Sequence, residues 1–269
     1  MSKQASKGVA LVTGASSGIG AVYADRLARR GYDLLLVARD QARLEELAAR
    51  LRGEAGVAVE VFKADLTSRA DLLAVERRLR EDASISLIVN NAGIGPDGPL
   101  VGADVDYLDR MIELNVTALN RLAIAAATVF AARDRGGIIN IASVVALIPE
   151  LFNGAYSGSK AFVLALTQAL QGELAQSSVR VQAVLPGLTR TEIFDRVGGS
   201  FDDFDPASVM EAGDLVDAAL VGFDRGELVT IPSLPDAKDW DAAVSARVAL
   251  GPNLSKNKPA DRYRTKAAA

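Results

Sequence analysis

The 269-residue chain contains no histidine and no cysteine. Those two absences exclude disulfides, Cys/His zinc sites, Ser-His-Asp triads and Cys-His pairs before any motif is read. Proton transfer, if the chain performs any, has to use another side chain. Aromatic residues are scarce at 5%, with 5 Tyr and 1 Trp. An excess of either charge is also lacking. The 30 Lys and Arg stand against 34 Asp and Glu, leaving a formal charge of -4 and no basic footprint for nucleic acid. Lys256, Lys258, Arg262, Arg264 and Lys266 make the end locally positive, which reads as a solvated tail over 251–269, extended or disordered. No window reaches the roughly 18 uninterrupted apolar residues of a membrane span. The richest stretch is broken by Asn120 and Arg121. Residues 1–7 carry no apolar core of a secretion signal, so a cytoplasmic location is expected.

What is present is a composition suited to one compact α/β domain, 49% hydrophobic and 24% charged. Short, almost wholly apolar runs at 9–12, 33–37, 57–62, 87–89, 137–141 and 179–185 read as buried strands. Between them, 18–30, 40–52, 68–82, 105–132 and 155–175 carry apolar residues at helical spacing. Each pair of strands is separated by enough chain for a crossover helix. The expected architecture is a three-layer, Rossmann-like doubly wound parallel sheet, a single domain over 1–269. After Pro186 the pattern loosens into a candidate substrate lid over 188–212, with Gly198, Gly199, Phe201, Phe204 and Pro206. A short strand at 228–231 and a helix at 237–250 follow.

The segment Thr13-Gly14-Ala15-Ser16-Ser17-Gly18-Ile19-Gly20 leaves the first strand and opens the first helix. This is the context of a glycine-rich phosphate loop: glycine allows unusual backbone angles and close approach of a pyrophosphate, and the helix N-terminus receives its charge. At the end of the second strand, an NAD-preferring protein places a carboxylate for the ribose 2′-hydroxyl. Here that place holds Arg39, whose planar guanidinium suits a 2′-phosphate, so NADP is expected over NAD. Asp40 follows directly. It would supply a carboxylate if the strand ended one residue later, or cap the next helix.

The phosphate loop, Asn90-Asn91-Ala92-Gly93 after the fourth strand and Tyr156 with Lys160 four residues on together resemble the short-chain dehydrogenase/reductase family. The likeness continues through Asp65-Leu66, Asn115, Ser143 and Pro186-Gly187 with Thr191, covering about residues 7–191. It implies a hydride transfer between a nicotinamide and a carbonyl or alcohol. Tyr156 would be the general acid, and Lys160 would hold the nicotinamide ribose and lower the phenol's pKa. Ser143, thirteen residues before Tyr156, would bind the substrate oxygen, and Asn115 would hold a water linking Lys160 to solvent. Asp65 would contact the adenine with Leu66 beside it, Asn91 and Gly93 would line the cofactor path, and Thr191 would touch the carboxamide. The chemistry of the residues agrees. A free tyrosine has a pKa of ~10 and needs a nearby cation to exchange protons at neutral pH. Residues four apart share a helix face.

Val145, Leu147, Leu151, Phe152, Ile193, Phe194, Phe201 and Phe204 are the expected substrate lining. Their apolar character favours a hydrophobic ketone, aldehyde or secondary alcohol. Two alternatives stand beside this: a 3-oxoacyl-carrier reductase, which would want cations near the site and has Arg190 and Arg196 there, and a non-catalytic dinucleotide-binding sensor. The resemblance also implies a homodimer or homotetramer, with a small molecule as the other partner.

Overall fold

A computed structural model of the chain describes residues 7–192 and 204–263. Residues up to Pro232 form one compact unit and those from Ser233 a second. The first holds a seven-stranded sheet in which every pairing is parallel. Its strands are β1 (Val9–Thr13), β2 (Asp33–Ala38), β3 (Val59–Lys63), β4 (Ile85–Asn90), β5 (Gly136–Ile141), β6 (Val179–Val184) and, beyond a two-stranded ribbon, β9 (Val229–Thr230). The spatial order is β3-β2-β1-β4-β5-β6-β9. The ribbon pairs β7 (Thr189–Arg190) with β8 (Met210–Glu211).

The helices are α1 (Gly18–Arg29), α2 (Gln41–Ala55), α3 (Arg69–Glu81), α4 (Val105–Ile112), α5 (Leu119–Ala132), α6 (Gly154–Glu173), α7 (Ala212–Arg225) and, in the second unit, α8 (Ala237–Val248). Helices α1, α2 and α7 cover one face of the sheet, and α3, α5 and α6 the other. Burial on both faces explains why the strands read as continuous apolar runs rather than alternating ones. Leu11, Leu35, Ile88 and Ile138 are wholly buried at the centre.

Helix starts follow side-chain chemistry. Asp40, Ser68, Asp104 and Asn153 each accept a hydrogen bond from a first-turn amide. The helix expected over 105–132 is interrupted, because Glu113–Ala118 form a π-helical turn between α4 and α5. By mean hydropathy, a looser criterion than an unbroken apolar run, Val105–Ala132 is long and apolar enough to cross a membrane. Half of its most apolar window is buried within the chain, as in the core helix of a globular protein.

Part of the expected lid, with Ile193, Phe194, Arg196, Gly198, Gly199 and Phe201, lies outside the described residues, as do Arg264 and Lys266. The described part of the tail contains short 3-10 turns at Gly251–Asn253 and Asp261–Tyr263.

Candidate active site

The sheet order reverses between β1 and β4, so the loops leaving their carboxyl ends diverge and open a crevice. Two side chains hold its floor. Thr13 Oγ1 donates to the Val89 carbonyl (3.2 Å) and accepts from the amides of Asn91 (2.9 Å) and Ala92 (3.0 Å). Asn91 Nδ2 donates to the carbonyls of Thr13 (3.0 Å) and Gly14 (3.3 Å). The Asn91 side chain is therefore used to tie the loop after β4 to the loop after β1.

That crevice is a cleft of about 610 Å³. One end is the phosphate loop, with Gly14, Ser16, Ser17, Gly18 and Ile19 on its wall. Gly14 has φ +64°, and a Cβ there would lie 2.8 Å from Asn91 Nδ2. A Cβ on Gly20 would collide with the Gly14 carbonyl oxygen, so Gly20 supports the turn from behind and is not on the wall. Ser17 precedes α1 without a side-chain cap, which leaves first-turn amides for an anion. Tight glycine turns, uncapped amides and a cleft of this size fit a dinucleotide.

The far end carries Arg39, Asp40, Arg43, Asp65 and Leu66. Asp40 is the cap of α2, accepting from the Arg43 amide at 3.1 Å. Its ambiguous role in the sequence is thus resolved by the strand ending at Ala38. Arg39 is well exposed, with its nearest carboxylate, Asp65, at 4.0 Å. Asp65 Oδ1 accepts from the Thr67 amide and hydroxyl (3.0 and 2.8 Å). Arg43, which the sequence reading missed, reaches across to Glu192 at 2.6 Å. Its place in the first turn of α2, just after Arg39, was the available signal.

At the other side of the crevice, Ser143 leaves β5 and Tyr156 sits in the first turn of α6. The Ser143 hydroxyl donates to the Pro186 carbonyl (3.2 Å), which also accepts from the Val144 amide (3.0 Å), fixing the serine to the exit of β6. It lies close enough to the Tyr156 side chain to act on its phenol. Lys160, one turn further on, is buried, its Nζ 5.7 Å from the Tyr156 ring centre and donating to the Ile141 carbonyl at 3.0 Å. Burial dominates both groups. It raises the Tyr156 phenol to about 12, with Ser143 acting against the rise, and lowers Lys160 to about 8. Removal from water is the largest influence on both side chains.

Asn115 lies within the π turn. It accepts from the Ile94 amide (3.0 Å) and donates to the Ile94 carbonyl (2.9 Å), with Ser159 Oγ at 3.4 Å. A Cβ on Gly93 would come within 3.0 Å of Asn115 Oδ1 and 3.7 Å of Lys160 Nζ, so the missing side chain leaves space between the two. Ala92 and Gly93 are on the cleft wall, as is Thr191, which packs over Gly18. Pro186 and Gly187 are not; the Gly187 carbonyl accepts from Thr189 Oγ1 at 3.0 Å. Tyr156 and Lys160 likewise fall outside this cleft's wall.

Of the expected substrate lining, Val145 is buried, while Leu147, Leu151 and Phe152 are exposed and Phe204 borders on exposed. Ile148, Leu100 and Val101 add further exposed apolar side chains in the loops after β5 and β4. The sequence reading did not single these three out. Asn153 was also missed, although an Asn just ahead of a helical run is a capping signal.

Residues 8–199 match the short chain dehydrogenase family. Among solved structures, a short-chain dehydrogenase from Sphingobium yanoikuyae in complex with NADPH is 55% identical, with a TM-score of 0.92 over 95% of this chain and 100% of that one. A bulky-bulky ketone specific alcohol dehydrogenase from Comamonas testosteroni is 48% identical, with a TM-score of 0.88 over 96% and 99%. An uncharacterized oxidoreductase of Staphylococcus saprophyticus is 34% identical over 76% of this chain and 88% of its own length. With its sheet, its cleft and its relatives in agreement, the chain belongs to the short-chain dehydrogenase/reductase family, oxidoreductases acting on CH–OH or C=O groups with a nicotinamide cofactor.

Proposed function

We propose that the chain is an NADP(H)-dependent reductase of bulky hydrophobic ketones, running in the alcohol-to-ketone direction when the oxidised cofactor is in excess. The observation that carries the chemistry is the convergence of Ser143 and Tyr156 hydroxyls, with Lys160 behind them. The bound nicotinamide supplies the hydride to the carbonyl carbon. Tyr156, a phenol and so protonated at neutral pH, gives its proton to the carbonyl oxygen. Ser143 hydrogen-bonds the same oxygen and stabilises the charge that develops on it. Lys160, with Asn115 across the gap left by Gly93, restores the proton from the solvent side.

The cleft would take the dinucleotide lengthwise, with the turn from Gly14 to Ile19 holding the pyrophosphate and Thr191 beside the nicotinamide. Preference for NADP rests on Arg39 and Arg43 at the adenosine end and on Asp40 being used as a helix cap. The relative from S. yanoikuyae is a complex with NADPH, which agrees with this choice. The bulky substrate class rests on the exposed apolar loops after β4 and β5 and on the specificity of the C. testosteroni relative. The 3-oxoacyl-carrier alternative rests on Arg190, which pairs with Glu211 at 2.8 Å, and on Arg196, outside the described residues.

The reading also places the enzyme in the cytoplasm as a homo-oligomer. The test is a panel of small, bulky and anionic ketones assayed with NADPH and NADH. Turnover of bulky neutral ketones with NADPH is expected, and turnover confined to charged sugars or acids would overturn the substrate class.

A further inference from the structure

The loop between β4 and α4, residues 91–104, is tied down at three points. Asn115 holds Ile94 through both backbone groups, and the Tyr107 hydroxyl donates to the Gly95 carbonyl at 2.8 Å. The third tie is at the tip and comes from the catalytic helix. Asn153 Nδ2 donates to the Gly98 carbonyl at 3.0 Å. The same amide group caps α6, its Oδ1 accepting from the amides of Ala155 (3.0 Å) and Tyr156 (3.1 Å). Next to it, Gly154 lies under Leu100, whose Cδ2 is 3.4 Å from where a Cβ would stand. The loop tip therefore rests on the first turn of the helix that carries Tyr156.

A cap needs only an acceptor, and Asp or Ser caps a helix as well as Asn does. Asn differs in carrying two N–H donors beside its acceptor oxygen. The structure uses both halves: the oxygen fixes the amide of Tyr156 and the nitrogen fixes Gly98. The tip needs such a tie. Gly98 and Gly102 have φ of +100° and +87°, and of the three residues between them Leu100 and Val101 are 49% and 93% exposed. A glycine-flanked loop with exposed apolar side chains has little packing of its own to fix it. On the facing segment, Leu147, Ile148, Leu151 and Phe152 are exposed as well.

We propose that Asn153 is a positioning residue for substrate selection: it latches the 94–104 loop to the catalytic helix, so that Leu100 and Val101 form a fixed apolar wall at the mouth beside Tyr156. The role as a selector rests on the bulky-ketone reading, whereas the latch itself does not. Through one amide, the wall for the substrate and the start of the helix that donates the proton move as a unit.

The test compares Asn153→Ser, Asn153→Asp and Asn153→Ala with the wild type. Ser and Asp keep the cap and lose the tie to Gly98. Ala loses both. For the Ser and Asp variants, amides between Gly95 and Ala103 should exchange hydrogen faster, while those of α6 stay protected. KM for a bulky aryl ketone should rise roughly three- to tenfold, the worth of one hydrogen bond, with a much smaller change for a slim ketone and an unmoved pH profile in the Ser variant. Wild-type exchange and wild-type selectivity in the Ser variant would overturn the proposal. So would equal losses on both ketones with unchanged loop exchange, since that is what a cap alone produces. If the wild type reduces no bulky ketone, the substrate reading fails, and loop exchange alone then decides whether the latch exists.

Discussion

Thr13 and Asn91, seventy-eight positions apart, are joined by two hydrogen bonds that Asn91 donates: its backbone amide to Thr13 Oγ1 at 2.9 Å, and its Nδ2 to the Thr13 carbonyl at 3.0 Å. The pair closes the floor of the cleft, so its loss should be felt both in stability and in cofactor affinity. Thr13→Val keeps the shape and removes the oxygen that two amides depend on. It should cost about 1–3 kcal/mol in denaturant unfolding, the penalty for stranding buried donors. Titration with NADPH should show weaker binding in the same variant.

Gly20→Ala should be more severe for the cofactor than its size suggests. The added methyl meets the Gly14 carbonyl, a backbone atom that cannot rotate aside. The phosphate loop must shift to admit it, and calorimetry should find dinucleotide binding lost or weakened by about tenfold or more while the far-UV spectrum stays native.

Cofactor choice should follow the two arginines at the adenosine end. Arg39→Ala and Arg43→Ala are each expected to weaken NADPH by roughly tenfold, the value of a hydrogen bond to a charged group, and to leave NADH nearly unchanged. An unchanged NADPH affinity in both variants would place the 2′-phosphate elsewhere.

Tyr156→Phe removes the proton donor and little else. Turnover should fall about 10²- to 10⁴-fold, with NADPH affinity preserved. Activity within a few-fold of wild type would assign the proton to another group.

Burial of Lys160 gives a pH signature independent of turnover. Its folded pKa near 8 lies below the ordinary 10.5, so between those values the unfolded chain binds a proton that the folded chain has released. Stability then rises with pH across that window. Relative to Lys160→Met, the wild type should gain on the order of 2 kcal/mol between pH 8 and 10, read by urea melts at each pH. A constant difference would mean that the lysine is solvated.

Much of this was legible in the chain before any coordinates. Parallel strands buried on both faces announce themselves as unbroken apolar runs, which is why 33–37 and 137–141 fall inside β2 and β5. The glycine-rich turn was legible as one wall of the cleft, because it depends on local geometry. What escaped was non-local or two-sided. Asn91 is on the cleft wall and is a fastener as well, a role hidden because its partners lie on another strand and the loop after it. Asp40 could not be assigned until the strand end was fixed at Ala38. The direction of the Tyr156 shift depends on how much water the fold removes, a quantity no motif encodes. The tie from Asn153 to Gly98 was invisible because its two ends are fifty-five positions apart.

The π turn at Glu113–Ala118 accommodates one residue more than an α turn would over the same rise. Everything after it is rotated by about 100° relative to an uninterrupted helix. Deleting a single residue there would re-phase the helix, turning the buried stripe of Leu122, Ala126 and Phe130 away from the sheet or swinging Asn115 off Ile94. The extra residue thus acts as a gear between two registers: one half of the helix is indexed to the core, the other to the reacting centre, and neither can be adjusted without the other slipping.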